Sequence, residues 1–157
     1  MGETEAGTIG FRVKSGWATA VLLAGPTDAP RAIARLVVEL SDAKIPASRQ
    51  PYHAATGREE TDRAKVNQRV RIVKQVANRS VADLIERHRQ LIGPFGTAAL
   101  VVGSLVEPEA IANPHIRAHA CEGKLPIAQI NKIMVLKKIC LTSAGGRLKG
   151  CCSGHNR

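Results

Sequence analysis

The chain has 157 residues, enough for one domain with a core of useful size, and 23% charged residues, the balance of a soluble globular protein. Aromatics make up only 3%, so the core must rest on Val, Ile, Leu and Ala. Few rings are then left for nucleobases to stack on, which argues against an RNA-binding module of the aromatic-platform type. A formal net charge of +10 favours an acidic partner, nucleic acid above all, against the plainer reading of a basic soluble surface.

Ile9, Phe11 and Val13 alternate with Gly10, Arg12 and Lys14, the period of a half-buried strand. Ser15-Gly16 is a two-residue turn signal, so Trp17–Ala24 reads as the second strand of a hairpin. After the turn residues from Gly25 to Pro30, Arg31–Leu40 reads as a third strand, with Arg35 and Glu39 wetting one face. Residues 41–62, holding Pro46, Pro51 and Gly57, read as a long loop of the size that is functional or mobile in compact domains.

Arg63–Ile92 is a long helix whose buried stripe runs through Val66, Val70, Val73, Ala77, Val81, Leu84, His88 and Leu91, with a break near Asn78–Ser80 as an option. On that stripe His88 reads as a satisfied core residue. Arg69, Arg71, Lys74, Arg79, Arg87 and Arg89 read as the solvated face, or as a nucleic-acid footprint if the fold aligns them. Ala98–Gly103 is uniformly apolar, as a central parallel strand covered on both faces would be. Phe11, Val13, Val21, Leu36, Val38, Leu100 and Val102 are the expected sheet core.

After a loop at Ser104–Ala112, Asn113 as N-cap and Pro114 at the first helical position start a short helix ending by Gly123 or Pro126. Residues 126–157 carry six Lys or Arg and no Asp or Glu. Ile133–Leu136 and Ile139–Leu141 would make one more strand or a short helix, and the stretch from Ser143 reads as a loose, partly disordered tail. The division expected is thus an α/β domain over 8–125 and a basic, atypical segment over 126–157.

Four cysteines, Cys121, Cys140, Cys151 and Cys152, form neither a paired CxxC pattern nor a disulfide framework. The polar start Met-Gly-Glu-Thr-Glu is unlike a signal peptide, and the apolar runs are too short for a bilayer, so a cytoplasmic location with reduced thiols is expected.

Hairpin, third strand, long helix, buried strand and short helix together imply a mixed sheet with a helical crossover. Over residues 8–125 this order resembles the ribonuclease H-like superfamily, which includes resolvases, nucleases and actin-like ATPases. The stretches 10–18, 50–54 (Gln-Pro-Tyr-His-Ala) and 113–123 also resemble a family of small uncharacterised bacterial proteins, which implies no activity. The superfamily resemblance implies a carboxylate on the first strand, because two ions must be held about 4 Å apart across a phosphodiester. Arg12 and Lys14 stand there and no acid does, so the standard two-metal nuclease is disfavoured, whatever Glu39 supplies from the third strand. Actin-like ATPases bind phosphate at a first hairpin, which Lys14, Ser15 and Gly16 would imitate with turn amides and an ammonium; the plainer reading is a tight turn.

The most specific feature is His115, His119 and Glu122. Steps of four and three residues put them within about 60° of one another around a helix. Two His and a carboxylate match catalytic zinc or non-haem iron ligand sets, and a helix start favours the neutral, ligating imidazole. The spacing is not His-Glu-x-x-His, because Ile116 occupies the position of the metallopeptidase base. His53, in the loop, is a candidate fourth member. The plainer reading is a His–Glu cluster that packs the helix.

Three functions stay open at this point. One is a phosphate-rich-ligand or nucleic-acid binding protein using His115, His119, Glu122, Lys14, Ser15 and His53. A second is a metal-dependent phosphodiester hydrolase with a divalent ion at His115, His119 and Glu122. The third is a structural or interaction protein, a homodimer included, that pairs through an open sheet edge.

Overall fold

The computed structural model describes residues 7–26, 28–55, 58–101, 107–136 and 140–143, with backbone alone for 131–136 and 140–143. The expected elements appear in the expected order. Strands β1 (Gly7–Lys14), β2 (Trp17–Ala24) and β3 (Arg31–Glu39) form the antiparallel meander. Helix α1 (Arg63–Leu91) crosses over to β6 (Phe95–Val101), which pairs in parallel with β1. Between β3 and α1 lies a small hairpin of β4 (His53–Ala55) and β5 (Arg58–Glu59). Helix α2 (Pro114–Leu136) and strand β7 (Cys140–Ser143), parallel to β6, follow. Among the described residues the main sheet has the order β3-β2-β1-β6-β7.

One face of this sheet carries the core. Ile9 and Phe11 on β1 meet Leu22 and Ala20 on β2 and Ala98 and Leu100 on β6, all buried. Ala77, Val81, Leu84 and Ile85 of α1 and Ile130 of α2 close over them. Asp62 caps α1 by accepting from the Ala64 and Lys65 amides (2.9 and 3.3 Å). These hydrogen bonds hold its carboxyl below the usual carboxylate range.

Several expectations need correction. Residues 41–62 are not one loop: a 3-10 turn at Pro46–Arg49 and the β4–β5 hairpin organise them. Helix α1 runs without a break at Asn78–Ser80. Helix α2 does not stop at Gly123 or Pro126 but continues through Pro126 to Leu136. Its middle is buried, with Leu125, Pro126, Gln129 and Ile130 inside, so packing overrides the breaker. Val21 belongs to the opposite face of the sheet, because it pairs with Gly10 and Arg35 while its neighbours Ala20 and Leu22 point inward. Among the described residues strand β6 is covered on one face only, Val101 being 52% exposed beside Arg12 and Arg35. Val102 and the tail after Ser143 lie outside the described residues.

His88 is buried as expected but not satisfied. Its ring stacks edge-on against Phe95, and neither nitrogen has a hydrogen-bond partner among the described residues. The nearby Gly93 amide is already given to the Arg89 carbonyl (3.1 Å). A Cβ at Gly7 would overlap His88 Nε2, so this packing requires glycine there. Burial holds the His88 pKa below its usual value of 6.5. Below about pH 6.5 the unfolded chain therefore binds the extra proton, and folding stability falls as pH drops. His88→Leu, which removes both orphaned nitrogens, is expected to stabilise the fold by about 1–3 kcal/mol and to flatten that acid limb. Urea unfolding on both sides of pH 6.5 would show it; an unchanged acid limb would mean another group titrates.

Candidate functional site

The β4–β5 hairpin and the first two turns of α2 build the site together. Asn113 Oδ1 accepts from the His115 and Ile116 amides (3.0 and 3.2 Å), so the predicted cap fixes where α2 begins. His115 and His119, one turn apart, then stand with ring centroids 4.4 Å from each other. The hairpin delivers the third ring: His53 lies 5.3 Å from His115 and 4.5 Å from His119, centroid to centroid. One nitrogen from each of the three converges, all within 4.8 Å of one another.

Glu122 does not join that trio; it stands behind His53. The two are buried, and His53 Nδ1 lies 2.5 Å from Glu122 Oε1. In the tautomer that donates its Nδ1–H to the carboxylate, the other ring nitrogen, Nε2, carries the lone pair. That Nε2 faces His115 Nδ1 at 3.2 Å. Glu122 Oε2 is buried, has no hydrogen bond among the described residues and lies 3.6 Å from His119 Nδ1. Pro126, four residues on, has no N–H to give the Glu122 carbonyl, which loosens the helix at the turn carrying the site. The His115/His119/Glu122 face is thus present as the spacing implied, with His53 inserted into it.

Arg69 is the residue the sequence did not disclose. It belongs to the arginines read as a solvated face, but it is half-buried against the hairpin. Its Nη1 donates to the His53 carbonyl (2.9 Å) and its Nη2 to Glu60 (3.1 Å), fixing the strand that bears His53. No periodicity signals a bond to a backbone 16 residues away. Arg117 ties α2 to the hairpin through Glu59 (3.5 Å). Tyr52 and Cys121 flank the cluster. Burial pushes the Tyr52 phenol up, with the Cys121 and Glu122 charges adding to it; burial, helped by Glu109, does the same to the Cys121 thiol. Both therefore stay protonated near neutrality, and Cys121 is not a ready nucleophile.

Other candidates sit elsewhere. Lys14 and Ser15 are exposed at the β1–β2 turn, which Gly16 makes with a φ of 80°. The Gly16 carbonyl accepts from Leu40 N (2.9 Å) and Ser41 Oγ (3.0 Å). Glu39 is exposed on the edge strand β3, two strand spacings, or about 10 Å, from β1.

The sequence matches no protein-family model and no curated protein. Among solved structures the chain is similar to Thermus thermophilus RuvC in complex with Holliday junction substrate, with a TM-score of 0.50 at 9% identity over 89% of this chain. It is equally similar to Thermus thermophilus RuvC alone (TM-score 0.50, 10% identity, 88% of this chain). The fold is ribonuclease H-like. The chain covers 64% and 63% of those RuvC chains. A looser likeness, to the type II variant of the Aquifex aeolicus Ppx/GppA phosphatase, has a TM-score of 0.36 at 11% identity and covers 88% of this chain and 36% of that one.

Within this ribonuclease H-like fold, β1 carries Arg12 and Lys14 and no carboxylate from Gly7 to Lys14. The convergent group lies instead over the hairpin and α2, and its donors are imidazole nitrogens. No helix among the described residues is long and apolar enough to cross a membrane.

Proposed function

We propose that this chain binds a phosphate-rich ligand, nucleic acid being the class its charge favours, through a divalent metal ion held by His53, His115 and His119. The observation that carries the proposal is the 3.2 Å between His53 Nε2 and His115 Nδ1, with the Glu122 carboxylate on the far nitrogen of His53. Two nitrogens at a tetrahedral ion, each about 2.0–2.1 Å from it, stand about 3.3 Å apart. A ligating histidine also gives its second N–H to a carboxylate or carbonyl, which is the role Glu122 plays here. Three neutral imidazoles suit zinc and its late first-row neighbours and do not suit magnesium, which takes oxygen ligands.

The residues divide the work. His115 and His119 hold their nitrogens in place through the capped first turns of α2. Glu122 and Arg69 fix His53 from its ring and from its backbone. His119 is half exposed, its side chain at 49%, so the centre opens to solvent on that side and a phosphate group can approach. An ion bound by three protein ligands keeps a position for that phosphate and supplies Lewis acidity to its oxygens. A net charge of +10 draws the polyanion in.

Fluorescence anisotropy with a labelled duplex, with and without added Zn²⁺ and with a chelator, tests this. Binding is expected, weakened by the chelator and by His115→Ala. Binding that ignores both would assign the phosphate contacts to surface charge alone. Affinity should also fall steeply with salt, and reversing the exposed Arg71, Lys74 and Arg79 to Glu should lower it and flatten the slope. No binding at low salt would end the nucleic-acid part of the proposal and leave small phosphates to be tried by calorimetry.

A further inference from the structure

Strand β3 forms one end of the sheet, and its outer edge has no partner strand among the described residues. An open backbone edge is a template for pairing. The bulge between Ala32 and Ala34, opposite Leu22 and Leu23, interrupts β3 and leaves residues 34–39 as the regular stretch that a second strand can pair with. Val37, at 63% exposure, is an apolar side chain left in water there, flanked two residues away on either side by Arg35 and Glu39. Neither Arg35 nor Glu39 has an ion-pair partner among the described residues.

The backbone is set for an added strand. Leu40 N donates to Gly16 O at 2.9 Å, which makes Gly16 and Leu40 a hydrogen-bonded pair across β2 and β3. The register from Trp17↔Glu39 to Leu22↔Ala34 is unbroken, so the alternation of an antiparallel ladder fixes the rest. Leu36 and Val38 turn their N–H and C=O groups to β2. Arg35, Val37 and Glu39 turn theirs outward.

We infer that β3 pairs antiparallel with β3 of a second copy of this chain, about a twofold axis through Val37. In that register Val37 meets Val37 of the partner subunit, and Arg35 faces Glu39 of the partner subunit on both sides of the axis. On the covered face Leu36 meets the partner's Val38. The outward-turned amides and carbonyls of Arg35, Val37 and Glu39 then form the hydrogen-bonded pairs of the new ladder.

Charge selects this register. Centring on Leu36 sets both charges against apolar residues, and centring on Arg35 sets two guanidinium groups face to face. A groove of about 260 Å³ beside the edge adds a second complementary feature, since α1 presents Asp83 and Arg87 there, one turn apart. A twofold axis reverses α1 in the partner, so these opposite charges also complement themselves. Pairing through this edge uses none of the histidines and does not depend on the metal proposal.

Sedimentation over a concentration series tests the pairing, with charge reversal as the discriminating step. Wild-type protein is expected to approach twice the mass of one chain as concentration rises. Arg35→Glu and Glu39→Arg each place like charges opposite twice per dimer, so each should raise the dissociation constant roughly tenfold or more. The double variant Arg35→Glu/Glu39→Arg restores opposite pairs and should restore the dimer. All these positions are exposed, so unchanged thermal midpoints would confirm that folding is intact. A wild-type chain that stays single at every concentration overturns the inference. So does a dimer untouched by the single reversals, or a double variant no better than either of them.

Discussion

Glu122→Ala is expected to be the most damaging single change in the site, at about 3–5 kcal/mol of folding stability. The side chain is 2% exposed and receives the His53 Nδ1 proton at 2.5 Å. Removing it strands a buried N–H on His53, opens a cavity under α2, and frees the His53 ring to turn. Glu122→Gln keeps the shape and one acceptor oxygen, so the fold should survive it with a smaller loss. The neutral amide no longer carries the charge that fixes the His53 tautomer, and a loss of about 10–100-fold in metal affinity is expected, as for other partners of ligating histidines. Chemical denaturation reads the first number and zinc titration the second. If Glu122→Gln binds zinc like wild type, Glu122 is a packing residue and the metal assignment loses its main support.

Zinc itself should raise the midpoint of thermal unfolding. At a free concentration 100 times its Kd, an ion that binds only the native state stabilises by about 2.7 kcal/mol. For a domain of this size that is about 5–10 °C. Magnesium should give no shift, for want of oxygen ligands. His115→Ala and His119→Ala should abolish the zinc shift while leaving the metal-free midpoint within a few degrees, since both rings are at least partly exposed. The opposite pattern, early melting of both variants and no zinc effect in wild type, would reduce the cluster to a structural device holding α2 to the β4–β5 hairpin.

Local sequence rules determined much of this protein. Alternation at Ile9, Phe11 and Val13 placed β1, Ser15-Gly16 placed the turn, and the three-and-four spacing from Val73 to His88 placed the buried stripe of α1. Asn113-Pro114 set the start of α2, which put His115, His119 and Glu122 on one face. All of these depend on contacts between residues close in sequence, which periodicity and capping report directly.

What the tertiary structure decided involves residues far apart in the chain. His53 is 69 residues from Glu122 and 62 from His115; its residue type made it a candidate for the group, and only the fold shows that it enters between them. Arg69 read as solvated because its helical neighbours are, yet it reaches back to the His53 carbonyl. Pro126 read as a stop, but burial of Leu125 and Ile130 outweighs the hydrogen bond it removes. Val21 read as core because it is apolar, and Val101 as part of a strand covered on both faces; sheet register alone shows which face each one takes. The same register decided that Arg35 and Glu39 flank Val37 on an outward-turned edge, because the direction of a backbone amide is set by the strand beside it.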